Sequence, residues 1–364
     1  MEVVVNILLI AKAYPPETGG IETYSEEVAK AYADLGHQVT VLTAHPGESG
    51  CEQRGSVFVH NVGQGNQLKT FLRMMEWLRH QRDSDYNFVH ATSWRVGLPT
   101  LLLRPKTPLA VTIHGREVFM VPKALKPVMA LVLRRAKLLP TVSQPILNMV
   151  RDKTGLPLEQ AFSNWNGISF EEEARRLDSK PNGFNIFCMC RMVERKNVAT
   201  AIVAVSDLIH QGVDLQFDIA GSGPELNSLR KLLSKQATGD RIKLHGRIPD
   251  ELVPEFYRNA HVFLHPQIAT EGGADLEGFG LTIADGMAFG CIPIAGASGG
   301  PLDFIRDNET GLLVDGHDIE ALKSCLTKLL QSGARRTELS KEAHSFAHSQ
   351  LTWHRHVLNI IRKI

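Results

Sequence analysis

The sequence predicts an α/β protein with two doubly wound parallel-sheet domains that face a central cleft. Short apolar runs alternate with helix-length segments along the chain, which is typical of buried parallel strands joined by helices. A glycine-rich turn follows the first run, and the alternation starts again at residue 184 after the turn-rich stretch 178–183. A length of 364 residues suits two domains. We therefore expect domain 1 over residues 1–170 and domain 2 over residues 171–345.

In the first half, residues 3–11 form a continuous apolar run, as expected for a strand that is covered on both faces. Two prolines and two glycines then break the chain, and a helical stripe follows over residues 21–35 and ends at Gly36. The run 39–42 completes a βαβ unit. Further strands of this half are predicted at residues 88–91, 109–113 and 138–142.

The second half repeats the pattern, with helix-length segments between its apolar runs. In doubly wound domains, ligands bind at the carboxyl ends of the strands, so we searched the strand ends for chemistry. The predicted strands of this half lie at residues 184–190, 215–220, 242–244, 262–264, 292–295 and 312–314.

The composition is typical of a soluble globular protein and excludes a disordered chain, a collagen-like fibre and a small disulfide scaffold. Lys and Arg number 40 against 39 Asp and Glu, which argues against a nucleic-acid-binding protein. The five cysteines are odd in number and include no C-x-x-C pair, which indicates a reducing compartment. No apolar run has the length of a membrane span, and the first run lacks a basic leader. We expect a cytoplasmic protein.

The most specific segment is EGFGLTIADGMAFGCIPIA, residues 277–295. A glycine-rich loop leads into a short apolar helix and then into a buried strand. Glu277 and Asp285 place carboxylates at both ends of the loop and helix. The free backbone N–H groups of Gly280 and Leu281 at the helix start suit an anion.

This segment resembles the donor-binding signature of glycosyltransferase family 4, which are retaining enzymes of the GT-B fold. The family has two glutamates separated by seven residues, and here Asp285 replaces the second. The resemblance implies that Glu277 contacts the donor sugar and that Asp285 holds the ribose. It also implies that the last segment, 346–364, returns to domain 1 as a helix.

Other positions match the family in order along the chain. Arg191 and Lys196 resemble its Arg-x4-Lys clamp on the donor diphosphate, and Arg195 is a further cation beside them. The turn at Gly221 resembles the family's strand–turn–helix, and it lacks the third glycine of the NAD fingerprint. The loop 244–248, ending at Ile248, resembles the loop that reads the nucleotide base.

Domain 1 contributes fewer matches. Gly19 and Gly20 resemble the family's loop over the donor phosphates, where a ligand needs close access to the backbone. His114 ends a predicted strand, and in the family this histidine faces the donor sugar and the reaction centre. The Asn-Gly pair at residues 166–167 is read as a turn former.

Two patterns compete with this assignment. Residues 83–85 read Asp-Ser-Asp, like the D-x-D metal motif of the other large glycosyltransferase fold, but such pairs are frequent by chance. His344 and His348 are four residues apart on a predicted helix without an H-E-x-x-H motif. We expect no metal at either place.

Residues 67–137 hold 13 Lys or Arg against 4 Asp or Glu. Residues 67–82 and 123–137 combine these charges with apolar residues at near-helical spacing. Basic amphipathic helices bind anionic membrane surfaces or anionic acceptors, whereas the alternative is that the apolar stripes pack against the domain 1 sheet. Packing is the stronger expectation for 123–137.

Together these observations predict a metal-independent, retaining hexosyltransferase without a cofactor. Its donor is expected to be a UDP- or GDP-sugar, and its acceptor a glycan or lipid-linked molecule of bacterial cell-surface polysaccharide biosynthesis at the inner face of the membrane. A soluble small-molecule acceptor is the alternative within this class. Two other classes stay open: a sugar-nucleotide 2-epimerase of the same fold, and a non-catalytic nucleotide-binding subunit that supports a partner transferase.

Overall fold

The computed structural model describes residues 4–82, 85–103, 106–155, 159–170 and 183–364. The chain forms two compact units. Unit 1 consists of Met1–Ser169 and Thr352–Ile364, and unit 2 of Phe170–Leu351. Residues 171–182, which include most of the turn-rich stretch 178–183, lie outside the described residues.

Unit 1 contains a six-stranded sheet in the order β3-β4-β2-β1-β5-β6, in which only β3 is antiparallel to its neighbour. A small sheet of β7 and β8 extends it. The strands are β1 (Asn6–Ile10), β2 (Gln38–Thr43), β3 (Gly50–Arg54), β4 (Val57–Asn61), β5 (Phe88–Ala91), β6 (Leu109–Val111), β7 (Leu139–Thr141) and β8 (Ala161–Ser163). The helices are α1 (Gly20–Asp34), α2 (Gln67–His80), α3 (Trp94–Leu103), α4 (Arg116–Phe119), α5 (Lys126–Arg135) and α6 (Gln144–Thr154).

Unit 2 contains a second six-stranded sheet, which is parallel throughout, in the order β11-β10-β9-β12-β13-β14. The strands are β9 (Asn185–Met189), β10 (Gln216–Ala220), β11 (Ile242–Gly246), β12 (Val262–His265), β13 (Ile292–Gly296) and β14 (Leu312–Val314). The helices are α7 (Val198–His210), α8 (Leu226–Ser234), α9 (Val253–Asn259), α10 (Leu281–Ala288), α11 (Pro301–Phe304), α12 (Ile319–Gln331) and α13 (Gly333–Gln350). The predicted α/β class is thus confirmed.

Apolar runs explain why the central strands form where they do. Ile7, Leu8, Leu9 and Ile10 of β1 have no exposed surface, as expected for a strand between two neighbours and two helical layers. The same holds for the apolar residues of β9 and β12, which are at most 1% exposed between Ile186 and Cys188 and fully buried in Val262–Leu264. Burial of these runs drives the two cores.

The end of unit 2 differs from the predicted domain boundary at residue 345. Unit 2 continues to Leu351 because α13 is one uninterrupted helix that is bound to the rest of the unit on both sides of that position. Ser340 Oγ donates to the carbonyl of Gly290, and His348 Nε2 lies 3.1 Å from the carbonyl of Ala288.

The segment that belongs to unit 1 therefore begins at Thr352 and contains α14 (Trp353–Ile361). Trp353, Val357 and Ile360 are buried, so α14 uses an apolar face to pack on unit 1, where it contacts α1. At Gly167 a Cβ atom would lie only 2.4 Å from the Trp353 nitrogen. The Asn-Gly pair at residues 166–167 is therefore also a close-packing site for α14.

Unit 1 contains a buried group of neutral polar side chains, Tyr24, Tyr32, His90, Thr112 and His356, which we call the tyrosine–histidine cluster. The backbone carbonyl of Trp165 can only accept a hydrogen bond from His356 Nδ1, and this assigns one direction to the hydrogen bonds of the cluster. Tyr32 Oη donates to His90 Nδ1 (3.1 Å), and His90 Nε2 donates to Thr112 Oγ1 (2.7 Å). Thr112 Oγ1 donates to Tyr24 Oη (2.7 Å), which donates to His356 Nε2 (2.9 Å).

The remaining ring nitrogen of His356, Nδ1, donates to the backbone carbonyl of Trp165 (2.8 Å). Burial lowers the pKa of His356 to about 4 and lowers the pKa of His90 well below its ordinary value. Both imidazoles are therefore neutral at pH 7, as the direction of the hydrogen bonds requires. The cluster attaches α14 to α1 without using a charge.

Among the described residues, no helix combines the length and the apolar character needed to span a bilayer.

Candidate active site

The chain order of unit 2 places a ligand crevice at the carboxyl end of β9. From β9 the chain continues to β10 and β11 on one side of the sheet and to β12, β13 and β14 on the other. Such a reversal separates the loops after the two central strands, and ligands of doubly wound sheets bind there. The segments after β9 and β12 contain the charged residues singled out by their sequence motifs.

Lys196 and Glu277 meet at this crevice. Lys196 ends a short 3-10 helix after β9, and Glu277 precedes the loop that leads into α10. The Lys196 ammonium donates to Glu277 Oε2, although the two residues are 81 positions apart. Both side chains are buried, at 9% and 11% exposure. The sequence predicted both as donor-binding residues, and the fold brings them into direct contact.

The charge state of Glu277 follows from its neighbours. Burial alone would raise the pKa of its carboxyl group, but the positive charges of Lys196 and Arg195 outweigh burial and hold the pKa well below its ordinary value. Glu277 is therefore ionised at neutral pH. It is available as a hydrogen-bond acceptor and not as a proton donor.

A histidine and a glutamine orient the lysine. His265 ends β12 and is fully buried, and its Nε2 lies 3.4 Å from Lys196 Nζ. Its Nδ1 donates to Gln267 Oε1 (2.9 Å), which leaves Nε2 unprotonated and able to accept from the ammonium. Gln267 Nε2 in turn donates to the carbonyl of Gly296 at the end of β13 (2.6 Å). Lys196 is thus fixed by three strand ends.

Arg195 has a defined position that the motif did not separate from those of its neighbours. Its Nη1 donates to Glu277 Oε2 (2.7 Å), and its Nε lies 3.3 Å from Asp275 Oδ1. The guanidinium therefore connects two carboxylates, and its side chain is 20% exposed. We call Arg195, Lys196, Asp275 and Glu277 the ion cluster.

Arg191 follows β9 and differs from the ion cluster. Its side chain is exposed and makes no ion pair or side-chain hydrogen bond within the part of the chain that the structure describes. An exposed cation at the carboxyl end of β9 suits an incoming anion.

Two backbone turns line the neighbouring strand ends. At Gly221, after β10, φ is +129°, and a Cβ atom would lie 1.9 Å from the carbonyl oxygen of Cys190, so only glycine fits. The Gly221 N–H donates to the carbonyl of Gly246 (2.7 Å), which connects this turn to the end of β11. Ile248, the predicted base-loop residue, lies half-buried two positions farther on.

Helix α10 begins directly after the Glu277 loop. Gly280 caps it with a left-handed backbone (φ +103°), and the first N–H groups after this cap have no intrahelical acceptor. Leu281 is half-buried at the first helical position. Asp285 lies one turn inside and is only 4% exposed, and its charge adds to burial in raising the pKa of Tyr257. The second carboxylate of the motif is thus a largely buried residue.

In unit 1, Gly19 precedes α1 and Gly20 is its first residue. Gly19 has an extended backbone (φ 162°), and a Cβ atom there would meet only the flexible end of the Glu22 side chain, 2.5 Å away. Gly19 and Gly20 are both exposed, so the backbone at the start of α1 is accessible to solvent.

His114 follows β6 and is half-buried, with its ring 4.7 Å from the ring of Tyr24 in an edge arrangement. Its Nε2 lies 3.2 Å from the carbonyl of Thr92 at the end of β5. Burial lowers the pKa of the imidazole, the Glu117 carboxylate opposes this, and the Lys12 ammonium adds to it. His114 is therefore a neutral ring at the carboxyl edge of the unit 1 sheet.

The competing metal patterns have different outcomes. Asp83 and Ser84 of the D-x-D triplet lie outside the described residues. The rings of His344 and His348 lie 4.3 Å apart. Across the described ranges, no group of three or more His, Cys, Asp or Glu side chains is arranged to hold a metal ion.

Three residues that contact the predicted site residues or orient them lie outside the motifs: His265, Gln267 and Asp275. None was predicted, although His265 and Gln267 lie just after the run 262–264. A polar residue at the carboxyl end of a buried parallel strand is the signal that identifies such residues. Asp275 has no comparable signal, because it lies in an irregular turn.

Two family models match the chain. Residues 169–346 match the model described as "Glycosyl transferases group 1", and residues 19–165 match "Glycosyl transferase 4-like domain". The chain is 24% identical to a GDP-mannose-dependent alpha-(1-6)-phosphatidylinositol monomannoside mannosyltransferase of Mycobacterium tuberculosis, over 96% of this chain and 95% of that protein. It is 28% identical to the putative colanic acid biosynthesis glycosyltransferase WcaL of Escherichia coli, over 49% of this chain and 44% of that protein.

Solved structures show the same fold. The sucrose-phosphate synthase of Thermosynechococcus elongatus superposes with a TM-score of 0.80 at 20% identity, covering 98% of both chains. HepE of Anabaena, in complex with UDP and glucose, superposes with a TM-score of 0.75 at 16% identity, covering 99% of this chain and all of that one.

Proposed function

Because the chain belongs to the glycosyltransferases of family 4, with the GT-B fold, we propose that it moves a hexose from a nucleoside diphosphate sugar to an acceptor hydroxyl with retention of configuration. In this reaction the bond between the anomeric carbon and the diphosphate oxygen breaks. A bond from the acceptor oxygen to the anomeric carbon forms on the same face. The hydroxyl proton leaves with the nucleoside diphosphate.

One observation carries the proposal: the Lys196–Glu277 contact at the carboxyl end of β9. An ammonium has three donors, of which one goes to Glu277 and one faces His265 Nε2. The third is available for a phosphate oxygen. The second oxygen of Glu277, Oε1, is available for a sugar hydroxyl, since both cations approach Oε2. In this proposal Lys196 binds the phosphate part of the donor and Glu277 binds its sugar.

The departing diphosphate needs positive charge as its own negative charge develops. The free Arg191 and the fixed Lys196 supply two cations. The uncapped N–H groups after Gly280 add the positive end of α10. The Gly221 turn admits the ligand close to the backbone, because no side chain can occupy that position.

The nucleoside is assigned to the remaining motif residues of unit 2. The family resemblance assigns Asp285 to the ribose hydroxyls and Ile248 to the base. The roles of Gly19, Gly20 and His114 of unit 1 toward the donor are those that the family resemblance implies.

We assign the donor to the GDP- and UDP-hexoses and place GDP-mannose first. This order rests on the relatives of M. tuberculosis and Mycolicibacterium smegmatis, which match over almost their whole length and are named GDP-mannose-dependent. The acceptor is a lipid-linked glycan, since their named acceptor is a phosphatidylinositol mannoside and WcaL belongs to polysaccharide biosynthesis.

Calorimetry with GDP, UDP and ADP tests the donor assignment. We expect GDP or UDP to bind at least about tenfold more tightly than ADP, because a base-reading loop discriminates by paired and unpaired polar groups. Proton NMR of the product then gives the anomeric configuration. Absence of nucleotide binding, or release of a free epimerised sugar from donor alone, would contradict the proposal.

Metal independence is tested by the same assay. Cations at the diphosphate site replace a metal in this proposal, so EDTA should leave the transfer rate within about twofold of the untreated rate. A loss of activity that Mg²⁺ or Mn²⁺ restores would overturn it.

We also propose that α2 contacts an anionic membrane surface. Met74 and Leu78 are buried, whereas Leu68 and Leu72 are 66% and 56% exposed, so the apolar stripe continues onto the surface at the start of the helix. In α5, Met129, Val132 and Leu133 are buried and Leu131 is 48% exposed, so its exposed apolar surface is smaller than that of α2. Two exposed leucines beside cations suit shallow insertion among anionic headgroups.

The exposed cations Lys69 and Arg79 are the residues to test. Arg73 is unsuitable, because its Nη1 donates to the carbonyls of Val62 (3.1 Å) and Gly63 (3.2 Å) and so has a structural role. Lys69→Glu/Arg79→Glu should weaken binding to phosphatidylglycerol-containing vesicles by at least about tenfold. The matched control is Lys231→Glu/Lys341→Glu in unit 2. Equal binding by both variants would favour a purely packing role for α2.

A further inference from the structure

We propose that Asp275 is a positioning residue for sugar transfer: its carboxylate holds Arg195 in contact with Glu277 and keeps Arg195 away from the leaving diphosphate. This inference rests on the proposed function. It assigns a role to a residue that none of the family motifs contains.

Two contacts of Arg195 connect Asp275 to Glu277. Arg195 Nε faces Asp275 Oδ1 at 3.3 Å, and Nη1 faces Glu277 Oε2 at 2.7 Å. A guanidinium is planar and rigid, so fixing one of its edges fixes the other. The three side chains are only 11–20% exposed, which limits the water available to replace either contact.

The turn that carries Asp275 is itself attached to Arg195. The Ile268 N–H donates to the Arg195 carbonyl (2.8 Å), and Thr270 and Asp275 exchange backbone hydrogen bonds of 2.8 and 3.2 Å. Between them, Glu271 has a left-handed backbone (φ +51°), which costs energy for a residue with a side chain. A closed, partly strained turn therefore places Asp275 two residues before Glu277.

The charges of the ion cluster balance only when Asp275 is included. Arg195 and Lys196 are positive, and Asp275 and Glu277 are negative, so the four buried groups sum to zero. Without Asp275, two cations share one carboxylate, and the cluster gains one positive charge in a region of low dielectric. Without Asp275, Arg195 keeps only its contact with Glu277, and the added positive charge attracts the donor diphosphate.

This predicts a split between affinity and turnover. In Asp275→Asn the nucleoside diphosphate should bind about three- to tenfold more tightly, since one positive charge within several ångströms of a phosphate is worth about 1 kcal/mol in a partly solvated site. The turnover number should fall about tenfold, because Glu277 loses its second anchor and the product leaves more slowly.

The experiment combines calorimetry with GDP and UDP and steady-state transfer kinetics on the full chain. The variants are Asp275→Asn, Asp275→Glu, Arg195→Met and the double variant Arg195→Met/Asp275→Asn. Circular dichroism melting confirms folding of each. Asp207→Asn is the matched control, because Asp207 pairs with Lys323 (3.4 Å) on the surface of the same unit.

The double variant separates positioning from a merely structural role. Arg195→Met leaves Asp275 unpaired, so adding Asp275→Asn should recover part of the lost turnover, whereas independent structural damage adds up. Asp275→Glu should keep the wild-type affinity. Wild-type affinity and turnover in Asp275→Asn, or additive losses in the double variant, would overturn the inference. Failure of the wild-type chain to bind any nucleoside diphosphate would instead overturn the proposed function.

Discussion

The two units solve the problem of burying polar groups in opposite ways. The tyrosine–histidine cluster of unit 1 contains only neutral groups, and each hydroxyl or imidazole in its chain donates to the next. The ion cluster of unit 2 contains two cations and two carboxylates. Burying the first arrangement costs little free energy, because each of its polar groups is hydrogen-bonded and none is charged. The second is costly, since charges lose hydration that their attraction only partly replaces.

The difference is consistent with the proposed site in unit 2. A neutral network serves cohesion, and here it attaches α14 to α1. A balanced set of charges contributes little net stability, so its presence at a strand end is better explained by an anionic ligand. Changes in the ion cluster should therefore affect activity most, and changes in the tyrosine–histidine cluster should affect stability most.

The largest expected effect tests the ion cluster. Lys196→Ala and Glu277→Gln should each lower the transfer rate about a hundred- to thousandfold, because each removes a group that acts on the developing charge or orients the sugar. Circular dichroism should show retained fold. Lys323→Ala, which removes a surface ion pair of the same unit, is the control. Near-normal activity in either site variant would refute the assigned site.

The next effect tests the tyrosine–histidine cluster. His356→Ala should lower the free energy of unfolding of unit 1 by about 3–4 kcal/mol, because it leaves a cavity and removes the acceptor of Tyr24 Oη. The four tryptophans, residues 77, 94, 165 and 353, all belong to unit 1, so urea unfolding followed by tryptophan fluorescence reports this unit. His354→Ala, with an exposed side chain in the same helix, should change it by less than about 0.5 kcal/mol.

Acid should distinguish the clusters without mutation. The pKa of His356 lies at about 4 in the folded chain and about 6.5 when unfolded, so its contribution is full above pH 6.5 and is lost between pH 6.5 and 4. This amounts to about 2–3 kcal/mol of unit 1 stability. The depressed pKa of Glu277 gives a contribution that is complete above its ordinary value of 4.5 and is lost only below it.

Tryptophan fluorescence between pH 7.5 and 4.5 measures the first of these windows. His356→Gln should flatten the dependence, since an amide does not titrate. An unchanged slope in that variant would assign the acid sensitivity to other groups, such as His90.

The smallest expected effect concerns Asp285. Asp285→Glu restores the residue of the family motif, and we expect the affinity for the nucleoside diphosphate to change by less than about tenfold. Because Asp285 is 4% exposed, the added methylene must find room at the helix edge. Calorimetry measures this directly, and a larger loss would contradict the ribose assignment.

The sequence was most informative where burial leaves few alternatives. Continuous apolar runs located β1, β5, β9, β12 and β13 to within a few residues, since a strand covered on both faces needs such a run. Three strands lack this signal. β3 is a polar, exposed edge strand, β4 alternates and leaves Phe58 50% exposed, and β8 has three residues. Their positions depend on neighbours in space and not on local pattern.

The residues of the candidate site also differ in how far the sequence predicted them. Lys196 and Glu277 were predicted from motifs that resemble those of the family, and the structure brings their side chains into contact. The sequence did not show which of Arg191 and Arg195 is exposed and which forms ion pairs. Two arginines in one turn have the same chemistry and differ only in the residues that they contact. Asp275 could not be predicted for the same reason, since its contact with Arg195 depends on the conformation of an irregular turn.

The assignment of Thr352–Ile364 to unit 1 has a consequence for the order in which the protein is made. Unit 1 is interrupted by the whole of unit 2, so a ribosome completes unit 2 before it supplies the helix that covers Tyr24 and Gly167. Until α14 emerges, the nascent first unit exposes the apolar surface that α14 covers, and the Tyr24 hydroxyl lacks its acceptor, His356 Nε2.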